Sequence, residues 1–321
     1  MFSLLRSSSV VVCVLCVAAL PAMGDGHGPA FAFSTATLGA GDVDIETDVM
    51  WRARSYMLAP RVSYGVRENL QISFSSPFHL NHGDHPTGRF DAMMPGNPEA
   101  EFLLGWRFYH VSPGVGTRNE ATLYAGGSAL TQEVPRADGP PLRRQPGLYV
   151  ALAAGRVARS YDVWAGIGYQ KYGQWNSGVD DHQSNTLLTS FAVGWRPPFL
   201  NKDYPRPDFR VFWETTGEEV GLAWRDRAPP GFGGGSGGGG HTHAERSVFL
   251  PPKPSNIQYL RNSGGTAIFS GPSLLCTYRN MAFQAGILFP LMDDPNGNQR
   301  TEPFRASVGI SYYFLGRRRQ R

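Results

Sequence analysis

The sequence has few cysteines, little charge and few long apolar runs, and each shortage closes off a class of protein. Of three cysteines in 321 residues, Cys13 and Cys16 lie in an N-terminal stretch read below as an export signal, which leaves Cys276 alone. One thiol builds neither a disulfide framework nor a cysteine metal site. Charged residues are 17% of the chain and the formal charge is +4, too little to imply nucleic acid. Basic residues cluster only at Arg317, Arg318, Arg319 and Arg321. Beyond Gly24 no stretch reaches the ~20 apolar residues of a membrane-spanning helix. With 39 Gly and 25 Pro, about a fifth of the chain, there is little room for long helices, which disfavours an all-α or doubly wound α/β enzyme. The 19 Phe, 13 Tyr and 7 Trp nevertheless require a folded chain.

The N-terminus reads as an export signal. Arg6 is the only charge before Asp25, Val10 to Leu20 is an apolar run of the right length for a signal peptide, and Pro21 with Ala22-Met23-Gly24 supplies a small-residue cleavage site. The expected organisation is a signal peptide over 1–24, a periplasmic segment over 25–42, a barrel over 43–314 and an Arg-rich tail over 315–321.

From residue 43 the chain alternates. Val43, Ile45, Thr47, Val49 and Trp51 stand against Asp44, Glu46, Asp48, Met50 and Arg52, and the same period of two returns from Phe304 to Phe314. Similar segments lie near 56–66, 69–78, 99–110, 120–131, 147–158, 161–171, 185–196, 208–216, 266–278 and 281–289. A soluble β-sandwich alternates too. Strands of ~10–11 residues, with tight turns alternating with long polar loops, instead predict an all-β fold: a closed antiparallel transmembrane β-barrel of about twelve strands. Its outward face would carry a girdle of Trp51, Tyr56, Trp106, Trp195, Trp213, Tyr312 and Phe314. Pro272 predicts a kink, bulge or register change in the 266–278 strand. The Gly-rich run 233–240 is read as the tip of one long external loop, 217–265.

Val43-Asp-Ile-Glu-Thr-Asp-Val-Met-Trp51, Pro60-Arg-Val-Ser-Tyr-Gly-Val66 leading into Leu70-Gln-Ile-Ser-Phe74, and the closing Gly309-Ile-Ser-Tyr-Tyr-Phe314 resemble the outer-membrane barrels grouped as the meta-pathway phenol-degradation family. The resemblance implies a porin-like, transport-type channel in the outer membrane of a Gram-negative cell. Its solutes would be aromatic or apolar, and no catalytic residue is carried over. Barrels of this kind usually end on an aromatic; here Leu315 to Arg321 follow Phe314.

The lumen-facing phase of the strands carries both signs of charge: Asp44, Glu46, Arg61, Glu101, Arg107, Arg210, Glu214 and Arg305, with Asp48 and Arg52 in the same phase. Such residues fit a polar constriction that filters small solutes, and equally an ion-paired plug in a structural or surface-interaction barrel. Candidate metal ligands are confined to predicted loops: His79, His82 and His85 in one, His241 and His243 in another. They read first as solvated loop histidines, and no cofactor is implied. The third alternative is a lipid-modifying barrel enzyme, which would need a serine and a histidine near the outer rim. The best pair, His110 with Ser112, falls on the predicted periplasmic side, and no Gly-x-Ser-x-Gly elbow occurs; the expectation is a non-enzyme. The partners implied are outer-membrane lipid, the barrel assembly machinery and an unidentified small solute.

Overall fold

A computed structural model describes residues 28–52, 55–80, 99–130, 146–172, 181–182, 185–200, 206–221, 224–226, 257–259, 264–296 and 301–316. The predicted signal peptide, His82, His85, His241 and His243 lie outside them. In chain order the strands are β1 (Val43–Arg52), β2 (Ser55–Arg67), β3 (Leu70–Ser75), β4 (Phe78–His79), β5 (Glu99–Gly114), β6 (Thr117–Leu130), β7 (Pro146–Val157), β8 (Tyr161–Tyr172), β9 (Asp181–His182), β10 (Thr186–Trp195), β11 (Asp208–Val220), β12 (Trp224–Asp226), β13 (Ile257–Tyr259), β14 (Gly265–Tyr278), β15 (Met281–Pro295) and β16 (Arg305–Phe314). Each long strand pairs antiparallel with its neighbour, and the first pairs with the last, from Val43 opposite Phe314 to Arg52 opposite Arg305. The result is a closed antiparallel barrel of 12 strands, as the alternation predicts.

The distribution of side chains is the reverse of a soluble sandwich. Along β10, Leu187, Phe191, Val193 and Trp195 are exposed, while Thr186, Leu188, Ser190 and Ala192 are buried. Asp44, Asp48, Arg52, Glu120, Asp162, Glu214 and Arg305 are buried, yet Phe74, Phe102, Trp213 and Val308 stand outward. Apolar surface on this scale, wrapped round a polar interior, is stable only against a nonaqueous medium. Aromatic pairs mark both rims of the belt: Trp51 meets Tyr56 edge-on at 5.6 Å, Tyr312 meets Phe314 at 4.7 Å, and Trp195 meets Phe199 at 6.4 Å.

Several expectations need correction. The predicted strand 69–78 is broken after Ser75, because Pro77 has no N–H to donate; β4 then resumes the ladder on β2 in the same register. His79 therefore lies in a strand, opposite Met57, and not in a loop. The strands read as 99–110 and 120–131 run on to meet in the tight turn Gly114–Thr117, with bulges on the β5 side. The strand read as 208–216 continues to Val220 with Thr216 and Glu218 facing inward, which leaves Trp213 at mid-strand instead of near an end. The region read as one loop, 217–265, contains β12 and β13, which form a small sheet with β9. At Pro272 the β14–β15 ladder skips Gly271 and Pro272, and a bulge lies between Ile268 and Phe269.

The largest correction concerns the segment expected in the periplasm. From Gly28 to Leu38 the chain runs inside the barrel, then turns back through Gly41, whose N–H donates to Gly65 O at 2.7 Å, and enters β1. Phe31, Phe33 and Leu38 are buried there. Two wall glycines make room: a Cβ at Gly286 would lie 2.5 Å from the Phe31 ring and one at Gly166 would lie 2.5 Å from the Phe33 ring.

The outward phase of β16 yields the first prediction. Val308 is 51% exposed and Ile310 41% exposed. Val308→Arg is expected to cost ~2–4 kcal/mol near the bilayer midplane. Urea titration of the protein folded into lipid vesicles, followed by the shift in gel mobility on boiling, measures it; an unchanged midpoint would show that this face does not meet hydrocarbon.

Candidate functional site

The lumen is organised around its own N-terminal segment, and one carboxylate holds that segment. Glu214, fully buried on β11, accepts the amide N–H of Ala30 at 2.8 Å on Oε1, and those of Phe31 at 2.7 Å and Ala32 at 2.8 Å on Oε2. Ser273 Oγ–H also donates to Oε1. A buried carboxylate is tolerated only where donors replace its water, and here three amides of an irregular segment do so. The amides gain equally, since a segment with no strand partner would otherwise leave its N–H groups unsatisfied.

Further along, the same segment is tied to walls far apart in the chain. Ser190 Oγ accepts from Phe33 N at 3.1 Å, Tyr124 OH donates to Ser34 O at 2.6 Å, and Thr122 Oγ1 donates to Thr35 O at 2.7 Å. Thr35 Oγ1 donates to Glu120 Oε2 at 3.0 Å, Leu38 N to Gln71 Oε1 at 2.9 Å, and Gln284 Nε2 to Gly28 O at 3.1 Å.

The residues expected to line one constriction fall into four groups. Arg305 and Arg52 form a buried quartet with Glu218 and Glu302 at the end carrying the long connections. Arg52 reaches Glu218 at 2.9 Å and Glu302 at 3.1 Å, and Arg305 reaches the same carboxylates at 2.5 and 3.0 Å. The Arg305 guanidinium lies 3.9 Å over the Phe269 ring, and an apolar layer of Phe31, Met50, Met57, Phe269 and Leu288 lies beneath. At the opposite end, Arg107 pairs with Glu120 at 3.0 Å, as Arg118 does at 3.3 Å, and His110 Nε2 stands 3.8 Å from the same carboxylate. Nearby, Arg210 pairs with Asp162 at 3.2 Å, and Arg196 with Asp208 at 2.7 Å. Glu214 belongs to the segment's latch. Only Asp44, Glu46, Arg61 and Glu101 share a space, together with Asp48.

That space is a cavity of about 220 Å³ between the N-terminal segment and the wall built by β1 to β8. Arg61 Nη1 lies 3.2 Å from Glu46 Oε2, and Ser75 Oγ donates to Glu101 Oε2 at 3.3 Å. Ser63 and Ser73 hydroxyls meet at 2.9 Å, and Gln71 Nε2 donates to Ser73 Oγ at 3.0 Å. Phe33 and Tyr149, ring centroids 6.4 Å apart, also line it. Sequence reasoning missed Glu120, Asp162, Glu218 and Glu302 as partners. Glu120 and Glu218 share the inward phase of their strands and could have been found; Glu302 precedes β16 in a connection with no period to mark it.

No family model matches the sequence, and no curated protein matches it. Solved structures similar to the chain include the NanC porin, 11% identical over 84% of this chain and 98% of that one with a TM-score of 0.42. The KdgM porin is 9% identical over 85% and 99% with a TM-score of 0.39. The outer membrane protein OprD from Pseudomonas aeruginosa is 10% identical over 85% and 66% with a TM-score of 0.34.

Glu214→Ala is expected to release the segment. Hydrogen bonds to a charged group contribute ~1.5–3 kcal/mol each, not additively. Amide hydrogen exchange at Ala30, Phe31 and Ala32 should accelerate by at least about tenfold while β-strand amides keep their protection. Unchanged exchange at those three amides would mean that packing of Phe31 and Phe33, and not the carboxylate, seats the segment.

Proposed function

We propose that this protein is an outer-membrane channel for small solutes whose bore is set by its own N-terminal segment. Three features support the reading: a closed barrel with an apolar outer belt, a lumen lined by charged and hydroxyl groups, and a segment that fills part of that lumen and leaves a polar space beside it. The segment carries the argument. A barrel of 12 strands falls between small barrels filled by side chains and large open porins, and an inserted peptide narrows such a bore without changing the wall. The short turns would face the periplasm and the long connections the exterior, as is usual for these barrels.

The solute differs from the one implied by the resemblance to the phenol-degradation barrels. Among the described residues, four carboxyl groups and one guanidinium line the cavity and make it unsuited to an apolar or aromatic guest without charge, since each carboxylate would lose water to hydrocarbon. A small polar or cationic solute fits better. The second reading is a plugged structural barrel, favoured by the buried Arg52–Arg305–Glu218–Glu302 quartet and the apolar layer beneath it. No role as an enzyme is proposed.

Planar-bilayer recording separates the two. If the segment sets the bore, deletion of Gly28 to Leu38 should raise single-channel conductance several-fold over the full chain, and Glu214→Ala should produce intermittent openings of the larger size. Silence from the full chain and from both variants, each folded by its gel shift, would establish the structural reading.

A further inference from the structure

We infer that the lumen cavity is a binding site for a small organic cation, a primary alkylammonium in particular. The inference rests on the channel reading for its transport meaning and names that channel's class of solute; binding itself can be measured apart from it.

The first observation is charge. Among the described residues, Asp44, Glu46 and Asp48 line the cavity beside one arginine, Arg61, which lies 3.2 Å from Glu46, and Glu101 also lines it. One guanidinium cannot neutralise the three carboxylates of β1. In a space bounded by protein, such an excess is stabilised by a positively charged guest, because screening by bulk water and salt is weak there. Rings of Asp and Glu serve cation-selective pores for the same reason.

The second observation is independent of the count. Asp44 is 7% exposed, lines the cavity, and its Oδ1 is buried without a hydrogen-bond partner in the protein. Buried carboxylate oxygens are almost always satisfied by a donor. The missing partner is a donor that the solute brings.

The third observation chooses between kinds of cation. A tightly held divalent metal needs several oxygen ligands converging on one point, and among the described residues no group of three or more His, Cys, Asp or Glu is placed to hold one. The carboxylates are strung along β1 at Asp44, Glu46 and Asp48 and continue across the wall to Glu101. The N-terminal segment, β6 and β7 contribute Phe33, Tyr124 and Tyr149 to the same lining. An ammonium carries three N–H donors for the carboxylates, and its alkyl stem suits the aromatic rings, where a cation also gains from the ring faces. A volume of about 220 Å³ accommodates a short alkylammonium.

Titration calorimetry on the full-length protein in detergent tests this, with n-butylammonium, 1,4-diaminobutane, butyrate and magnesium chloride as probes. Both amines should bind, butyrate and magnesium should not, and Asp44→Asn should weaken the amines by at least about tenfold, the factor corresponding to one lost charge-assisted hydrogen bond. Asp48→Asn serves as the second variant, with retention of the heat-dependent gel shift as proof of folding. Butyrate binding as tightly as butylammonium, no amine binding to the wild type, or amine affinity unchanged in both variants would each overturn the inference. Amine binding without conductance in bilayers would overturn the channel reading alone and leave the site standing.

Discussion

Closure of the hydrogen-bond ladder between β1 and β16 is the constraint on which everything else depends. Ten residues of the first strand pair with ten of the last, and β1 also pairs with β2 along its full length, so the sheet has no free edge. In a nonaqueous medium an unpaired edge costs several kcal/mol per exposed backbone group. Once the wall satisfies itself, every inward position is released from backbone duty and can hold polar chemistry. The buried quartet, the Glu214 latch and the acidic cavity all use that freedom. Each is expensive in isolation, because buried charges lose their hydration; the quartet and the latch offset that cost by bringing donors to acceptors, while the cavity leaves Asp44 Oδ1 without a donor from the protein.

The wall was legible in the sequence because it is periodic. Val43 to Arg52 and Arg305 to Phe314 alternate so regularly that facing, and with it the lumen-side position of Asp44, Glu46 and Arg305, follows from parity alone. Where the period is interrupted, boundaries were misplaced: Pro77 splits a ladder, Pro113 and the bulges of β5 hide its end, and the Glu218-Glu219 doublet masks the last turn of β11. The N-terminal segment was not legible at all. Gly28 to Leu38 has no strand pattern, and its partners Gln71, Glu120, Ser190, Glu214 and Gln284 lie up to 256 residues away. A fit that consists of backbone amides meeting one distant carboxylate leaves no local signature.

The candidate site shows the same division. Parity found the residues, but it could not say which of them share a space. Arg107, Arg210 and Arg305 are each committed to neighbouring carboxylates at the two ends of the barrel, so the lumen's net charge at mid-height is set by what remains near β1. The cavity is acidic because the other arginines are spoken for. That outcome depends on strand register and on the course of the N-terminal segment, neither of which is written in any single strand.

The position of that segment also bears on the order of assembly. It hydrogen-bonds to β3, β6, β10, β11 and β15, strands that span almost the entire chain. Such contacts are nonlocal and slow to form. A peptide enclosed by the wall must be in place by the time the last strand zips onto the first, or be threaded afterwards through an end already crowded by ion pairs. The earliest residues of the described chain are thus among the last to gain their full set of partners, and they form a mandrel around which the later strands are laid.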